Sequence, residues 1–175
     1  GALEITTTGT TTGTSSNGIS AINSTAGTSL TINAATTTGG VFGIYADNEG
    51  TGALSITTSG TTTGTTYAGI YANNSAAGTS LKITAEDTTG TLGIRALNNG
   101  TGGLEITTSG TTKGTSSYGI WADNYTAGTS LTISAATTTG AADGIYAVNR
   151  GTGALSITTS GAITGGTGYG IRTIT

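Results

Sequence analysis

The sequence predicts an all-β fold: a parallel β-helix, or β-solenoid, of about seven coils of ~25 residues with three short strands in each coil. Three observations predict it. The dipeptide Gly-Ile recurs seven times at intervals of 24 to 26 residues, and a second motif, Leu-x-Ile, recurs with it. Threonine (45 residues) and glycine (32) dominate the composition, which favours strands and tight corners over helix. Because one repeat of this length cannot bury its apolar side alone, successive repeats must stack.

The Leu-x-Ile motif predicts the first strand of each coil. Side chains two positions apart in a strand point to the same face, so its Leu and Ile are expected inside the solenoid. The spacing of the motif alternates between 27 and about 24 residues, which indicates a duplicated two-coil unit of about 51 residues. The seven motifs begin at Leu3, Leu30, Leu54, Leu81, Leu104, Leu131 and Leu155.

A threonine-rich segment predicts the second strand, from Gly9 to Gly13 in the first coil and from Gly161 to Gly165 in the last. A buried hydroxyl needs a hydrogen-bond partner, and we expect a neighbouring threonine or a backbone carbonyl to supply it. The predicted inward column is Thr11, Thr37, Thr62, Thr88, Thr112, Thr138 and Ile163.

The pattern Gly-Ile-x-Ala-x-Asn predicts the third strand, with its Ile and Ala inside. Asparagine closes the pattern in six of the seven coils. Asparagine can hydrogen-bond across a turn, so we expect a stacked structural ladder at one corner, and a ligand role is the less favoured alternative. The ladder is Asn23, Asn48, Asn74, Asn98, Asn124 and Asn149.

The residue after each Gly-Ile is out of phase with the inward side chains and is therefore expected on the surface. These residues form a column of four aromatics and two arginines: Ser20, Tyr45, Tyr71, Arg95, Trp121, Tyr146 and Arg172. Tyr45, Tyr71, Arg95, Trp121 and Tyr146 are candidates for binding a sugar or a protein partner. The favoured alternative is structural, with the rings stacked on one another and Arg95 held between Tyr71 and Trp121 by cation–π attraction.

Charge and composition exclude several classes of function. Only 13 residues are charged, the net charge is −3, and the five cations never cluster, which argues against nucleic-acid binding. Cysteine and histidine are absent, so disulfides, thiol chemistry and the commonest metal ligands are absent too. No apolar run approaches the roughly 18 residues of a membrane-spanning helix, so no direct membrane insertion is expected.

The eight carboxylates give no sign of catalysis. Asp47 and Asp123 share a position but lie three coils apart, roughly 14 Å at the strand spacing. Lys82 and Glu105 are next-coil neighbours and predict a solvated ion pair of small energetic value. We therefore expect no enzyme activity, no cofactor and no metal site. Charged residues also interrupt the outward threonines of the Leu-x-Ile strand, which disfavours an ice-binding array.

Two stretches resemble a known class of repeat. The segment from Gly151 to Ile171 (GTGALSITTSGAITGGTGYGI) and the segment from Gly69 to Asn74 (GIYANN) are similar to the passenger-domain repeats of bacterial autotransporters, the type V secreted surface proteins. The resemblance covers all 175 residues. It implies a right-handed parallel β-helix that is exported through an outer-membrane β-barrel and displayed at the bacterial cell surface as an adhesin or its stalk.

We expect this protein to have one of two functions. The first is an extracellular adhesin or stalk segment, attached to the outer membrane through a part outside this sequence, whose partner is a glycan or protein on a host or neighbouring cell. The second is a segment of an extracellular filament formed by end-to-end stacking. Neither end of residues 1–175 has the polar cap of a finished solenoid, which predicts a single segment of a longer repeat protein.

Overall fold

The computed structural model describes all 175 residues and confirms the β-solenoid. The chain forms 21 strands and no helix, hence no helix long and apolar enough to cross a membrane. Each of seven coils contributes one strand to each of three seven-stranded sheets, and all neighbouring strands are parallel. The three sheets are named here by their motifs: the Leu-x-Ile sheet, the threonine sheet and the Gly-Ile sheet.

The Leu-x-Ile sheet has the predicted register along its whole length. Leu3 pairs with Leu30 and Ile5 with Ile32, and the same pairing continues to the seventh coil. Each strand ends where the chain turns toward the threonine sheet. The strands are Leu3–Thr7, Leu30–Ala34, Leu54–Thr58, Leu81–Ala85, Leu104–Thr108, Leu131–Ala135 and Leu155–Thr159.

The threonine sheet is narrower than the sequence predicts. Its strands contain three residues each, because the glycine and the residue after it that were expected to begin the strand belong to the preceding turn. The inward column is the predicted one, as Thr11 pairs with Thr37 and Thr138 with Ile163. The strands are Thr11–Gly13, Thr37–Gly39, Thr62–Gly64, Thr88–Gly90, Thr112–Gly114, Thr138–Gly140 and Ile163–Gly165.

The Gly-Ile sheet contains the longest strands. Two of them begin two residues before the isoleucine, at Ala68 and Leu92, which are buried and pair with each other. The strands are Ile19–Asn23, Ile44–Asn48, Ala68–Asn74, Leu92–Asn98, Ile120–Asn124, Ile145–Asn149 and Ile171–Ile174.

The interior is a set of aliphatic columns that run along the solenoid. A single cluster of 25 buried residues holds the inward Leu, Ile and Ala of the Leu-x-Ile and Gly-Ile sheets. In the central coils these side chains are fully buried, as with Leu54, Ile56 and Ile70 at 0 % exposure. Burial of each Leu or Ile contributes on the order of 1.5–3 kcal/mol, so the columns stabilise the stack without any disulfide.

The glycine of each Gly-Ile is a steric requirement of the threonine sheet. A Cβ built on Gly43 would lie 2.7 Å from the Thr62 methyl carbon and 2.6 Å from the Gly69 carbonyl oxygen. The threonine methyl therefore fills the space that the glycine leaves open, and the same contact recurs from coil to coil. This close approach explains why glycine precedes isoleucine in the first six coils.

The expectation that the buried threonine hydroxyls are hydrogen-bonded is wrong. The inward threonines of five successive coils are 0 % exposed, yet none of their Oγ1 atoms has a hydrogen-bond partner. The closeness of the glycine column places the methyl group in contact and leaves the hydroxyl without an acceptor. The five residues are Thr37, Thr62, Thr88, Thr112 and Thr138.

A candidate binding face on the Gly-Ile sheet

The surface column of the Gly-Ile sheet lies in the predicted register. Tyr45 pairs with Tyr71, Arg95 lies between Tyr71 and Trp121, and Trp121 pairs with Tyr146. All five side chains are half-buried, in contrast to the exposed Ser20 and Arg172 at the two ends of the column. The strand register alone therefore brings all five candidate residues onto one surface.

These side chains form one continuous stack along the solenoid axis. The Tyr45 and Tyr71 rings are nearly parallel, with centroids 5.2 Å apart. The Arg95 guanidinium carbon lies 5.6 Å from the Tyr71 centroid and 4.5 Å from that of Trp121. Trp121 and Tyr146 follow at 6.1 Å in a tilted arrangement, and Arg172 lies 5.1 Å from the Tyr146 centroid. Because the groups stack along the axis, their faces are turned largely toward one another.

Three further aromatic residues join the stack from the corner that precedes the sheet, and the sequence motifs did not single them out. Phe42 lies 5.3 Å from Tyr45 and 4.9 Å from Tyr67 between ring centroids. Tyr118 packs edge-on against Trp121 at 5.5 Å. Their spacing from the next Gly-Ile differs between coils, so no period marks them. The aromatic–arginine face is defined here as Phe42, Tyr45, Tyr67, Tyr71, Arg95, Tyr118, Trp121, Tyr146 and Arg172.

Arg95 and Trp121 keep unused hydrogen-bond donors in the middle of this face. Nη1 of Arg95 donates to the Tyr67 hydroxyl. The buried Nε of Arg95 and the buried Nε1 of Trp121 have no acceptor in the protein. An unsatisfied buried donor costs roughly 1–3 kcal/mol, so packing of the stack is maintained at the expense of these two hydrogen bonds.

Burial and neighbouring charges shift the pKa values of the two stacked tyrosines, Tyr45 and Tyr71. Burial raises the pKa of Tyr71 above its ordinary value of 10.0, and the Arg95 charge partly opposes that rise. Burial also raises the pKa of Tyr45, with Asp47 adding to the rise through its charge and a hydrogen bond. Both phenols are therefore neutral hydrogen-bond donors at neutral pH.

A second column of side chains, two residues beyond the first along each strand, borders the face. It contains Asp47 and Asp123, and both carboxylates are bonded to neighbouring side chains. Asn73 donates to Asp47 at 2.9 Å in the earlier coils. In the later coils Arg150 pairs with the buried Asp123 and lies 5.1 Å from the Tyr125 ring centroid. The hydrogen bond to Asp123 raises the pKa of Arg150 above its ordinary value. Both acids are thus engaged by neighbouring side chains.

Aromatic residues and arginines are confined to this side of the solenoid. The chain has nine aromatic residues, and seven of them belong to the aromatic–arginine face; the other two are Tyr125 and Tyr169. Tyr125 follows a strand of the same sheet, and Tyr169 is 63 % exposed in the corner before its last strand. All three arginines also lie on this sheet or at its end. The other two sheets present threonine, serine and a few charges.

The asparagine ladder closes the corner between the Gly-Ile sheet and the next Leu-x-Ile strand. The Nδ2 of each of the first five asparagines donates to the Oδ1 of the asparagine in the next coil, at 2.7 to 2.9 Å. Each Nδ2 also donates to a backbone carbonyl four or five residues further on in its own coil, as Asn48 does to Gly52 at 3.0 Å. The amides are buried and bonded to the protein itself, which is the arrangement of a structural ladder.

The carboxylates are spread over the surface. The Lys82 ammonium and the Glu105 carboxylate form an exposed ion pair at 3.0 Å. Asp87 and Asp143 accept hydrogen bonds from backbone N–H groups of the next coil, at 2.7 Å each, and thereby stabilise turns. No group of three or more acidic side chains lies close enough together to hold a metal ion.

Comparison of the chain with protein-family models, with curated proteins and with solved structures finds no match. A function for this protein is therefore inferred from the geometry of the aromatic–arginine face and from the character of its repeats.

Proposed function

We propose that this chain is a structural segment of an autotransporter-like adhesin at the bacterial cell surface, with the aromatic–arginine face as its binding surface. The solenoid holds that face rigid and extended. The observation that carries the proposal is the confinement of the aromatic residues and arginines to one of the three sheets and the corners that adjoin it. Folding alone does not require this asymmetry, since the other two sheets form without a single aromatic residue.

The composition of the face suits recognition. Tyrosine, tryptophan and arginine are the residues most enriched among those that dominate binding energy. Their mutual stacking fixes the side chains before binding, which lowers the entropy lost when a partner docks. The ring faces are largely used by neighbouring rings, so hydroxyl groups and ring edges are the groups left for a partner.

The partner we propose is a glycan or protein on a host or neighbouring cell. Both classes present hydroxyl and carbonyl acceptors, which match the phenol and guanidinium donors of the face. The segment has no catalytic residue, cofactor or metal in this proposal. The protein is placed outside the cell and attached to the outer membrane by a part outside this sequence.

The test is a triple substitution of Tyr71, Trp121 and Tyr146 by serine. The inward columns are untouched, so the β-rich circular dichroism spectrum should be kept while binding to host cells and to a glycan array is lost. A control places serine at three outward positions of the Leu-x-Ile sheet instead: Thr84→Ser, Thr107→Ser and Thr132→Ser. Unchanged binding by a folded triple-serine variant would leave the segment as a passive stalk.

The second candidate is an extracellular filament built by end-to-end stacking. The first and seventh coils carry matching columns, with Leu3 and Ile5 in one and Leu155 and Ile157 in the other. A second copy displaced along the axis would therefore continue both columns and the hydrogen bonds between strands. Light scattering over a range of protein concentrations tests it: concentration-dependent elongation favours the filament, and a constant monomer mass excludes it.

A further inference from the structure

The surface of the Leu-x-Ile sheet has one depression, about 250 Å³ in volume, and it is the only pocket in the molecule. It lies on a different sheet from the aromatic–arginine face and spans the fourth to sixth coils. Gly103 forms its floor, Ser80 and Ser130 flank that glycine, and Lys82 and Glu105 stand at its side. The volume equals that of about eight water molecules, which suits one small polar ligand.

The depression exists because one coil lacks a side chain that every other coil has. The residue before each Leu-x-Ile motif carries a Cβ in six coils and none in the fifth, where it is Gly103. A Cβ at this position would meet Ser130 Oγ at 3.1 Å and the Ser130 carbonyl oxygen at 3.3 Å, so an alanine here requires Ser130 to shift by a few tenths of an ångström. The column is Ala2, Ser29, Ala53, Ser80, Gly103, Ser130 and Ala154.

Hydrogen-bonding groups surround this gap and are unused by the protein. Ser130 Oγ lies 3.1 Å from the place that a Cβ on Gly103 would occupy, and neither this hydroxyl nor that of Ser80 hydrogen-bonds to the protein. The N–H groups of Ser80, Gly103 and Ser130 donate to no backbone carbonyl, whereas the residues on either side of each one do. Donors and hydroxyls from three successive coils therefore meet at one place.

The charges beside the gap restrict the ligand to a neutral one. The Lys82 ammonium and the Glu105 carboxylate are 3.0 Å apart and about half exposed. An anion attracted by the first would be repelled by the second at almost the same distance, and a cation would meet the reverse. A pair of neighbouring hydroxyls satisfies both, since one accepts from the ammonium and the other donates to the carboxylate.

We propose that the Gly103 depression binds a single neutral sugar ring, held by the Lys82–Glu105 pair and the two serine hydroxyls. A pyranose offers adjacent hydroxyls that both donate and accept, and its size fits the volume of the depression. The site is independent of the aromatic–arginine face, so each can fail without the other.

The test is an NMR titration of the whole chain with the methyl glycosides of glucose, galactose, mannose and N-acetylglucosamine. We expect saturable shifts of the Ser80, Gly103 and Ser130 amide signals with at least one of them. Gly103→Ala places a Cβ, which the other six residues of the column have, between Ser80 and Ser130, and should weaken that binding at least tenfold. Glu105→Gln, which keeps the depression and removes one charge, should weaken it as well.

Ala53→Gly is the matched control, because it makes the reverse change two coils away, where no ion pair stands beside the gap. It should leave the affinity unchanged. Absence of saturable shifts with all four sugars would overturn the proposal. So would equal binding by the Gly103→Ala variant, or shifts spread over all three sheets.

Discussion

The guanidinium carbon of Arg95 lies 4.5 Å from the centre of the Trp121 ring, with Tyr71 on its other side at 5.6 Å. One cation thereby joins two aromatic groups that would otherwise be separated by a gap in the stack. Arg95 also donates to the Tyr67 hydroxyl, so the corner before the sheet is held to the same centre.

Replacing Arg95 by glutamine should loosen this centre. Loss of a partly desolvated cation–π contact and a hydrogen bond is expected to lower the free energy of unfolding by about 1–2 kcal/mol. Trp121 is the only tryptophan, so its fluorescence spectrum reports the change directly. Arg172→Gln is the control, because Arg172 is exposed at the end of the stack and should leave the Trp121 spectrum as it was. Identical spectra for both variants would contradict a stacking role for Arg95.

Removing one amide from the middle of the asparagine ladder should be costly. Asn74→Ala deprives Asn48 of its acceptor, Asn98 of its donor and the Thr79 carbonyl of a hydrogen bond. With roughly 1–3 kcal/mol for each buried group left unpaired, we expect a loss of at least about 2 kcal/mol in urea unfolding. The control is Asn33→Ala at a half-exposed outward position, which should change stability by less than about 0.5 kcal/mol.

The unpartnered threonine hydroxyls predict a stabilising substitution. Thr62→Val keeps the methyl that packs on Gly43 and removes a buried Oγ1 that has no acceptor. Because the desolvation cost of that hydroxyl disappears, we expect the free energy of unfolding to increase by about 1 kcal/mol. Thr63→Val, on the half-exposed side of the same strand, should have almost no effect. A destabilised Thr62→Val protein would show that the hydroxyl has a partner after all.

Alkaline pH should destabilise the fold through Tyr45 and Tyr71. Both have a pKa raised above 10.0 in the folded protein, chiefly by burial, so the folded state holds their protons more tightly than the unfolded chain does. Their contribution to stability is complete below about pH 10 and is lost as the pH rises through the folded-state values. Urea unfolding at about pH 8 and about pH 11 should show this fall, and a Tyr45→Phe, Tyr71→Phe double variant should show a smaller one.

The inward columns of the Leu-x-Ile and Gly-Ile sheets could be predicted from the sequence because both motifs recur in every coil. Leu-x-Ile and Gly-Ile each fix the phase of a strand, and the single Ile163 reveals the inward side of an otherwise uniform threonine sheet. Buried apolar side chains leave a period in the sequence whenever a register error would turn them outward.

Other features leave no such trace. Phe42 and Tyr118 lie one residue before their Gly-Ile motif, and Tyr67 lies two residues before. Because this spacing varies, the sequence does not show that all three rings pack against the same surface column. The rotation of a threonine side chain, which decides whether its hydroxyl finds an acceptor, depends on packing against the neighbouring glycine column. The depression at Gly103 is visible in the sequence only once the seven residues before Leu-x-Ile are known to form one column.

The strict pairing of each coil with only its two neighbours has a mechanical consequence. Tension applied between the two termini would act first on an outermost coil, whose strands have one neighbour instead of two. Detachment of that coil exposes an equivalent one, so the molecule should lengthen in equal increments of about 85 Å, the contour length of some 25 residues. A solenoid of this kind extends stepwise under tension, which suits a tether that must lengthen under force and keep its attachment.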